Sequence, residues 1–215
     1  MTWAGRIMAT KTAITWKQFL EETAAKREVV NLMFEERLFN LVGVLQKITE
    51  PLANARIPYE VVGGLAVLTH VEAADPAQSV LTRDIDILIH RSDLERVIAI
   101  AESCGFQFRH AAGIDMLLYG GNVANPVHVL FSGEKVKPSQ TVPHPPVEPE
   151  EKTVKGLSVR IIPLAQLVPM KLSANRDKDR VHIRSLDAAG LITPEIERGL
   201  PDALRTRLKQ VRETE

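Results

Sequence analysis

Tyr-Glu-Val-Val-Gly-Gly-Leu-Ala-Val-Leu (59–68) and Thr-Arg-Asp-Ile-Asp-Ile-Leu-Ile (82–89) together decide the fold. The first is a short apolar strand that breaks at Gly63-Gly64 and runs straight into a helix. In the second, successive side chains point to opposite faces of a strand. Asp84 and Asp86 therefore share one face, and Ile85, Ile87 and Ile89 the other. Two adjacent carboxylates repel unless something cationic lies between them. A divalent metal carrying a nucleotide phosphate meets that need. Gly63 and Gly64 let backbone amides approach a phosphate at a helix N-terminus, where the helix dipole favours an anion. The two segments predict a metal–nucleotide site.

Upstream, residues 16–48 carry helical spacing, with Phe34, Leu38, Leu41, Leu45 and Ile48 recurring three or four apart. This stretch is expected to pack on the sheet, a homodimer contact being the alternative, and Pro51 and Pro58 mark its exit. Downstream, Ser92-Asp-Leu-Glu95 has the form of a capping box opening a helix that ends near Gly105. Three short strands are expected at 106–109, 114–119 and 126–131. The proline-rich stretch 132–156 is expected to be a mobile loop, and 157–162 a last strand. Pro163 opens a helical region that Pro169 is expected to restart, followed by helices at 177–189, from Thr193-Pro194, and at 201–213. The order predicts an α+β fold in three parts. These are an N-terminal helical extension (1–57), a mixed-sheet core (58–162) and a helical C-terminal region (163–215).

Composition narrows the class. A 215-residue chain that is 45% hydrophobic and 25% charged supports an ordinary globular core. A formal net charge of zero argues against a general nucleic-acid coat. Cys104, the only cysteine, excludes an internal disulfide and a cysteine-rich zinc site, and the six histidines have no metal-site spacing. No segment has the ~20 apolar residues that span a bilayer, and the N-terminus lacks a signal-peptide core. A cytoplasmic protein without a membrane partner is expected.

A strand ending in Gly63-Gly64, a helix, then a strand bearing Asp84 and Asp86 resembles the nucleotidyltransferase superfamily, the fold of the DNA polymerase β catalytic domain. Met-Lys-Leu-Ser-Ala-Asn-Arg-Asp-Lys-Asp (170–179) is similar to an element of bacterial nucleotidyltransferase-like proteins, including the abortive-infection toxin group. The resemblance covers roughly 58–190. It implies a nucleotidyltransferase-like mixed sheet flanked by helices. It also implies an NTP donor bound with Mg2+ or Mn2+ on Asp84 and Asp86. Gly63 and Gly64 become the phosphate turn, and Lys171 and Arg176 phosphate- or base-binding groups. Asp179 becomes a general base or a partner for one of those cations.

Two positions depart from the family pattern. His128 stands where a third carboxylate is expected, and magnesium prefers oxygen to imidazole. Asp115, on the preceding strand, is the candidate to supply the missing acid. The 65–83 segment is also longer than in minimal members, which makes the stretch near Asp75-Pro76 an elaboration. Lys178, Arg180 and Arg184 read as a solvated helical face, and His182 has no assigned role. The expected activity is transfer of a nucleoside monophosphate from an NTP to a hydroxyl of an RNA, a protein or a small molecule. The alternative is a degenerate module that binds nucleotide, RNA or a protein partner without turnover.

Overall fold

The structure, a computed structural model, describes residues 16–154 and 156–214. Two compact units divide between Glu36 and Arg37. Helix α1 (Trp16–Asn54) runs through that division. In the first unit the described chain is helical, with Val29, Leu32 and Met33 exposed.

In the second unit, α1 buries Leu38, Leu41, Leu45, Ile48 and Leu52, the continuation of the stripe expected from three-and-four spacing. The helix ends between Pro51 and Pro58, as expected, closing where Arg56 turns left-handed and Ile57 N–H bonds the Leu52 carbonyl.

The core of this unit is one mixed seven-stranded sheet. Its strands are β1 (Tyr59–Val62), β2 (Ile85–Ile89), β3 (Phe106–Ala111), β4 (Ile114–Tyr119), β5 (Val127–Phe131), β6 (Glu150–Val154) and β7 (Leu157–Ile161). They lie in the order β3-β4-β5-β2-β1-β7-β6. β1 runs antiparallel to β2 and parallel to β7, while β2 and β5 are parallel. Val61, Val62, Ile85, Ile87 and Ile89 are fully buried, as befits apolar runs at the centre of a sheet. Helix α2 (Gly63–Ala74) leaves the end of β1 without a break, and α3 (Leu94–Ser103) joins β2 to β3.

Local signals failed in four places. The strand expected from Thr82 begins only at Ile85, because β1 gives way to α2 after Val62 and β5 first meets β2 at Ile85. Ser92 does not cap α3: a 3-10 turn over Arg91–Asp93 precedes it, closed by Asp93 N–H on the His90 carbonyl. Pro169 does not restart the helix, and α4 (Leu164–Ala174) passes through it. The bond Pro169 forfeits is to the carbonyl of Ala165, an exposed residue whose carbonyl water can serve.

The fourth correction concerns 132–156. Glu150–Val154 forms edge strand β6, paired antiparallel along its length with β7. The remainder, 132–149, is tied down by hydrogen bonds. Gly133 N–H bonds the His144 carbonyl, His144 N–H the Glu134 carbonyl, and Val142 N–H the Ser173 hydroxyl at 3.0 Å. Glu148 N–H donates to the buried Glu60 carboxylate at 3.1 Å.

The helices α4, α5 (Asp177–Ala188), α6 (Pro194–Gly199) and α7 (Asp202–Glu213) pack through Leu172, Ile183, Leu186, Leu204, Leu208 and Val211. Arg207 donates to the Leu172 and Ser173 carbonyls that end α4, and Arg212 pairs with Asp187 and Glu197. The Asp75-Pro76 elaboration is a 3-10 turn whose Gln78 carbonyl accepts the Ser185 hydroxyl of α5. Among the described residues, no helix is long and apolar enough to cross a membrane.

Candidate active site

The site gathers where β1 ends. Val62 pairs with Asp86 across β2, and Asp86 with His128 across β5, so Asp86 and His128 project from one face. Gly63 then turns the chain with φ +70° into α2. A Cβ on Gly63 would lie 1.8 Å from Asp86 Oδ2, and one on Gly64 2.4 Å from Thr82 Oγ1. The glycine pair is therefore required by the side chains packed over it. No side chain caps α2, which leaves its first amides and the positive end of its dipole facing this corner.

From the other side, the α4–α5 turn supplies cations. Asn175 adopts φ +49° and ends α4, and Arg176 becomes the N-cap of α5. Lys171 Nζ reaches Asp179 Oδ1 at 3.2 Å, and Arg176 Nε reaches Asp179 Oδ2 at 2.6 Å. Asp179 also accepts Arg176 N–H and is 1% exposed. Both its oxygens are engaged by cations. Lys178, exposed as expected, also places Nζ 3.5 Å from Asp84 Oδ2. Only the docking of α5 against the end of β2 reveals this, and nothing in local sequence signals it.

Electrostatics follow from these contacts. Burial pushes the Asp86 carboxyl up, but the His128 hydrogen bond (Nδ1 to Oδ1, 3.1 Å) and the charges of Lys171, His128 and Lys178 hold it below its ordinary value. The same bond to Asp86 raises His128 against its own burial. Burial lowers the Lys171 ammonium, with Asp179 and Asp86 opposing. Asp179 stays low because Arg176 and Lys171 outweigh its burial. His182, 6% exposed with its Cε1 beside Gly64, is pressed down to about 4 by burial and then by Lys171. It is a neutral imidazole whose buried Nδ1 has no partner among the described residues.

Of the residues expected in the site, Asp84, Asp86, Gly63, Gly64, His128, Lys171, Arg176 and Asp179 gather around this corner. Asp115 does not. It pairs with Val129 rather than His128, which turns it to the opposite face, where it meets His110 Nδ1 at 2.5 Å. A one-residue difference in register separates the two faces.

Among the described residues, no group of three or more His, Cys, Asp or Glu is arranged to hold an ion. Asp86 Oδ1 is already bonded to His128. The residues do not fit a resident metal cage of the chain's own.

A cavity of about 160 Å³ opens from Asp86 and His128 along β5, between α4 and the 132–149 loop. Val136, Lys137, Ser139, Gln140 and His144 of that loop line it, and none of these was expected in the site.

No protein-family model matches the sequence, and no curated protein does. Solved structures do. The Megavirus polyadenylate synthase superposes with a TM-score of 0.53 at 11% identity, over 88% of this chain and 41% of that one. The antibiotic-resistance factor ANT(2")-Ia, solved with adenylyl-2"-tobramycin, gives 0.52 at 15% identity over 79% and 97%. An antigenic nucleotidyltransferase-like protein from Paracoccidioides brasiliensis gives 0.51 at 17% over 82% and 87%. This chain has a nucleotidyltransferase-like fold.

Proposed function

We propose that this chain, which has the nucleotidyltransferase fold, transfers a nucleoside monophosphate from an NTP to a hydroxyl and releases pyrophosphate. One observation carries the reading: the uncapped start of α2 at Gly63-Gly64 lies against Asp86, opposite the cations of the α4–α5 turn. The NTP enters as its divalent-metal complex, with Asp84 and Asp86 as the protein ligands, and the metal supplies charge neutralisation at the phosphates. The α2 amides and Arg176 and Lys178 bind and orient the triphosphate. Lys171 and Asp179 brace Arg176 from below. The acceptor oxygen bonds to the α-phosphorus, the bond to the β-phosphate bridging oxygen breaks, and the hydroxyl proton leaves to solvent. That the fold neighbours include a polyadenylate synthase and a protein solved with an adenylylated product supports this class of reaction.

A second reading is favoured by His128 at the third-carboxylate position: a module that binds the nucleotide without turnover. Pyrophosphate release separates the two. Thermal shifts with ATP, GTP, CTP and UTP, each with Mg2+, Mn2+ or chelator, test both. At a hundred times its dissociation constant, one NTP is expected to stabilise the protein by about 2.7 kcal/mol. Asp84→Asn is expected to abolish the metal-dependent part of that gain. No shift with any nucleotide under either metal overturns both readings.

A further inference from the structure

In-line displacement fixes where an acceptor stands. The attacking and leaving oxygens lie on opposite sides of the reacting phosphorus. On the reading proposed above, pyrophosphate leaves toward Gly63 and Gly64 at the end of β1, and the reacting phosphate sits by Asp86 on β2. The acceptor must then approach from beyond Asp86, across β5 and β4. The cavity lies on that side, running from His128 to Leu130 of β5 and Ile114 of β4.

The walls of the cavity state what fits. Ile114, Leu130, Val136 of the roof loop and Met170 of α4 make an apolar surface. The charged groups lining it are Lys137, Lys171, Arg176 and Lys178 against Asp86 and Asp179. Asp179 is committed to Lys171 and Arg176, and Asp86 bonds His128 through Oδ1. The roof loop contributes Lys137 and no carboxylate to the lining. An ammonium entering here would lose water and meet Lys137, with no carboxylate of the roof to pair it. An apolar body would be covered on both sides, with Ser139 and Gln140 available to hydroxyls. The roof is held in place from the sheet and from α4 through His144 and Ser173.

We propose that the acceptor of this transfer is a small hydroxyl compound with an apolar body and no positive charge. This rests on the transfer reading, and the test separates the two. Octyl glucoside below its micelle concentration, octyl glucosaminide and glucose are titrated calorimetrically into the full chain, with and without saturating ATP and Mn2+. The thermal shifts with the four NTPs test the transfer reading on their own.

Octyl glucoside is expected to bind at least tenfold more tightly than either of the others. The glucosaminide fails through its ammonium and glucose through its missing tail. Val136→Asp, on a half-exposed loop position that tolerates the change, is expected to reverse the preference between the two octyl compounds. Equal or tighter binding of the glucosaminide or glucose overturns the acceptor class, even where ATP binds normally. Failure of every NTP to bind overturns the transfer reading and leaves the octyl preference to decide what the cavity accepts. An unchanged preference in Val136→Asp likewise overturns the assignment to this cavity.

Discussion

Gly63→Ala is expected to cost roughly 3–5 kcal/mol of stability and to abolish nucleotide binding together. Two effects combine. Gly63 sits at φ +70°, where an L side chain costs about 1–2 kcal/mol. The new methyl would also lie 1.8 Å from Asp86 Oδ2, 2.6 Å from its Cγ and 2.9 Å from its Cβ. Rotating the carboxylate relieves the first contact but not the last, so β2 itself must move. Displacing Asp86 breaks its bond from His128, a charge-assisted hydrogen bond of about 1.5–3 kcal/mol. Gly113→Ala is the control, since Gly113 has φ +74° with nothing within 4 Å of the added Cβ. It carries the conformational cost alone, about 1–2 kcal/mol. Urea denaturation of both variants decides. Equal losses would show that Asp86 does not pack over the glycine turn.

That corner was legible because its signals are local. A strand period of two puts Asp86 on a definite face, and a glycine pair at a strand end marks the entry to α2. What escaped depends on contacts distant in sequence. Asp115 needed the register of β4 on β5, which alternation within either strand leaves open. Lys178 is solvated as expected, and its pairing with Asp84 emerges only when α5 docks beside it. Glu150–Val154 has the composition of a loop, and pairing with β7 makes it a strand at a sheet edge that tolerates charge. The roof of the cavity is held by Ser173 and Glu60, partners that no proline-rich composition announces.

Glu60 leads to the other large effect, a stability that falls as pH rises from about 4.5 to about 7. The side chain is fully buried in β1, with Oε2 accepting Glu148 N–H and Oε1 without a partner among the described residues. Burial raises its carboxyl to about 7, the Glu148 amide opposes, and the Glu148 charge adds to the rise. An acid whose folded value lies above its unfolded one binds more protons when folded. Its contribution is therefore full below the unfolded value of 4.5 and is lost as pH rises to about 7. The loss amounts to about 3 kcal/mol, from 1.36 kcal/mol per unit. Asp86 and Asp179, held low, act in the opposite direction at more acid pH, so the wild-type curve alone mixes the effects. The difference between wild type and Glu60→Gln isolates the one group. The amide keeps an oxygen for Glu148 N–H and cannot ionise. Near pH 4.5 the two proteins are expected to match within about 1 kcal/mol, and at pH 8 the variant is expected to be more stable by about 3 kcal/mol. Urea midpoints at the two pH values measure this. A difference that does not change with pH would mean that Glu60 is solvated in the folded chain, and that its hold on Glu148, at the foot of the roof loop, is weaker than the geometry requires.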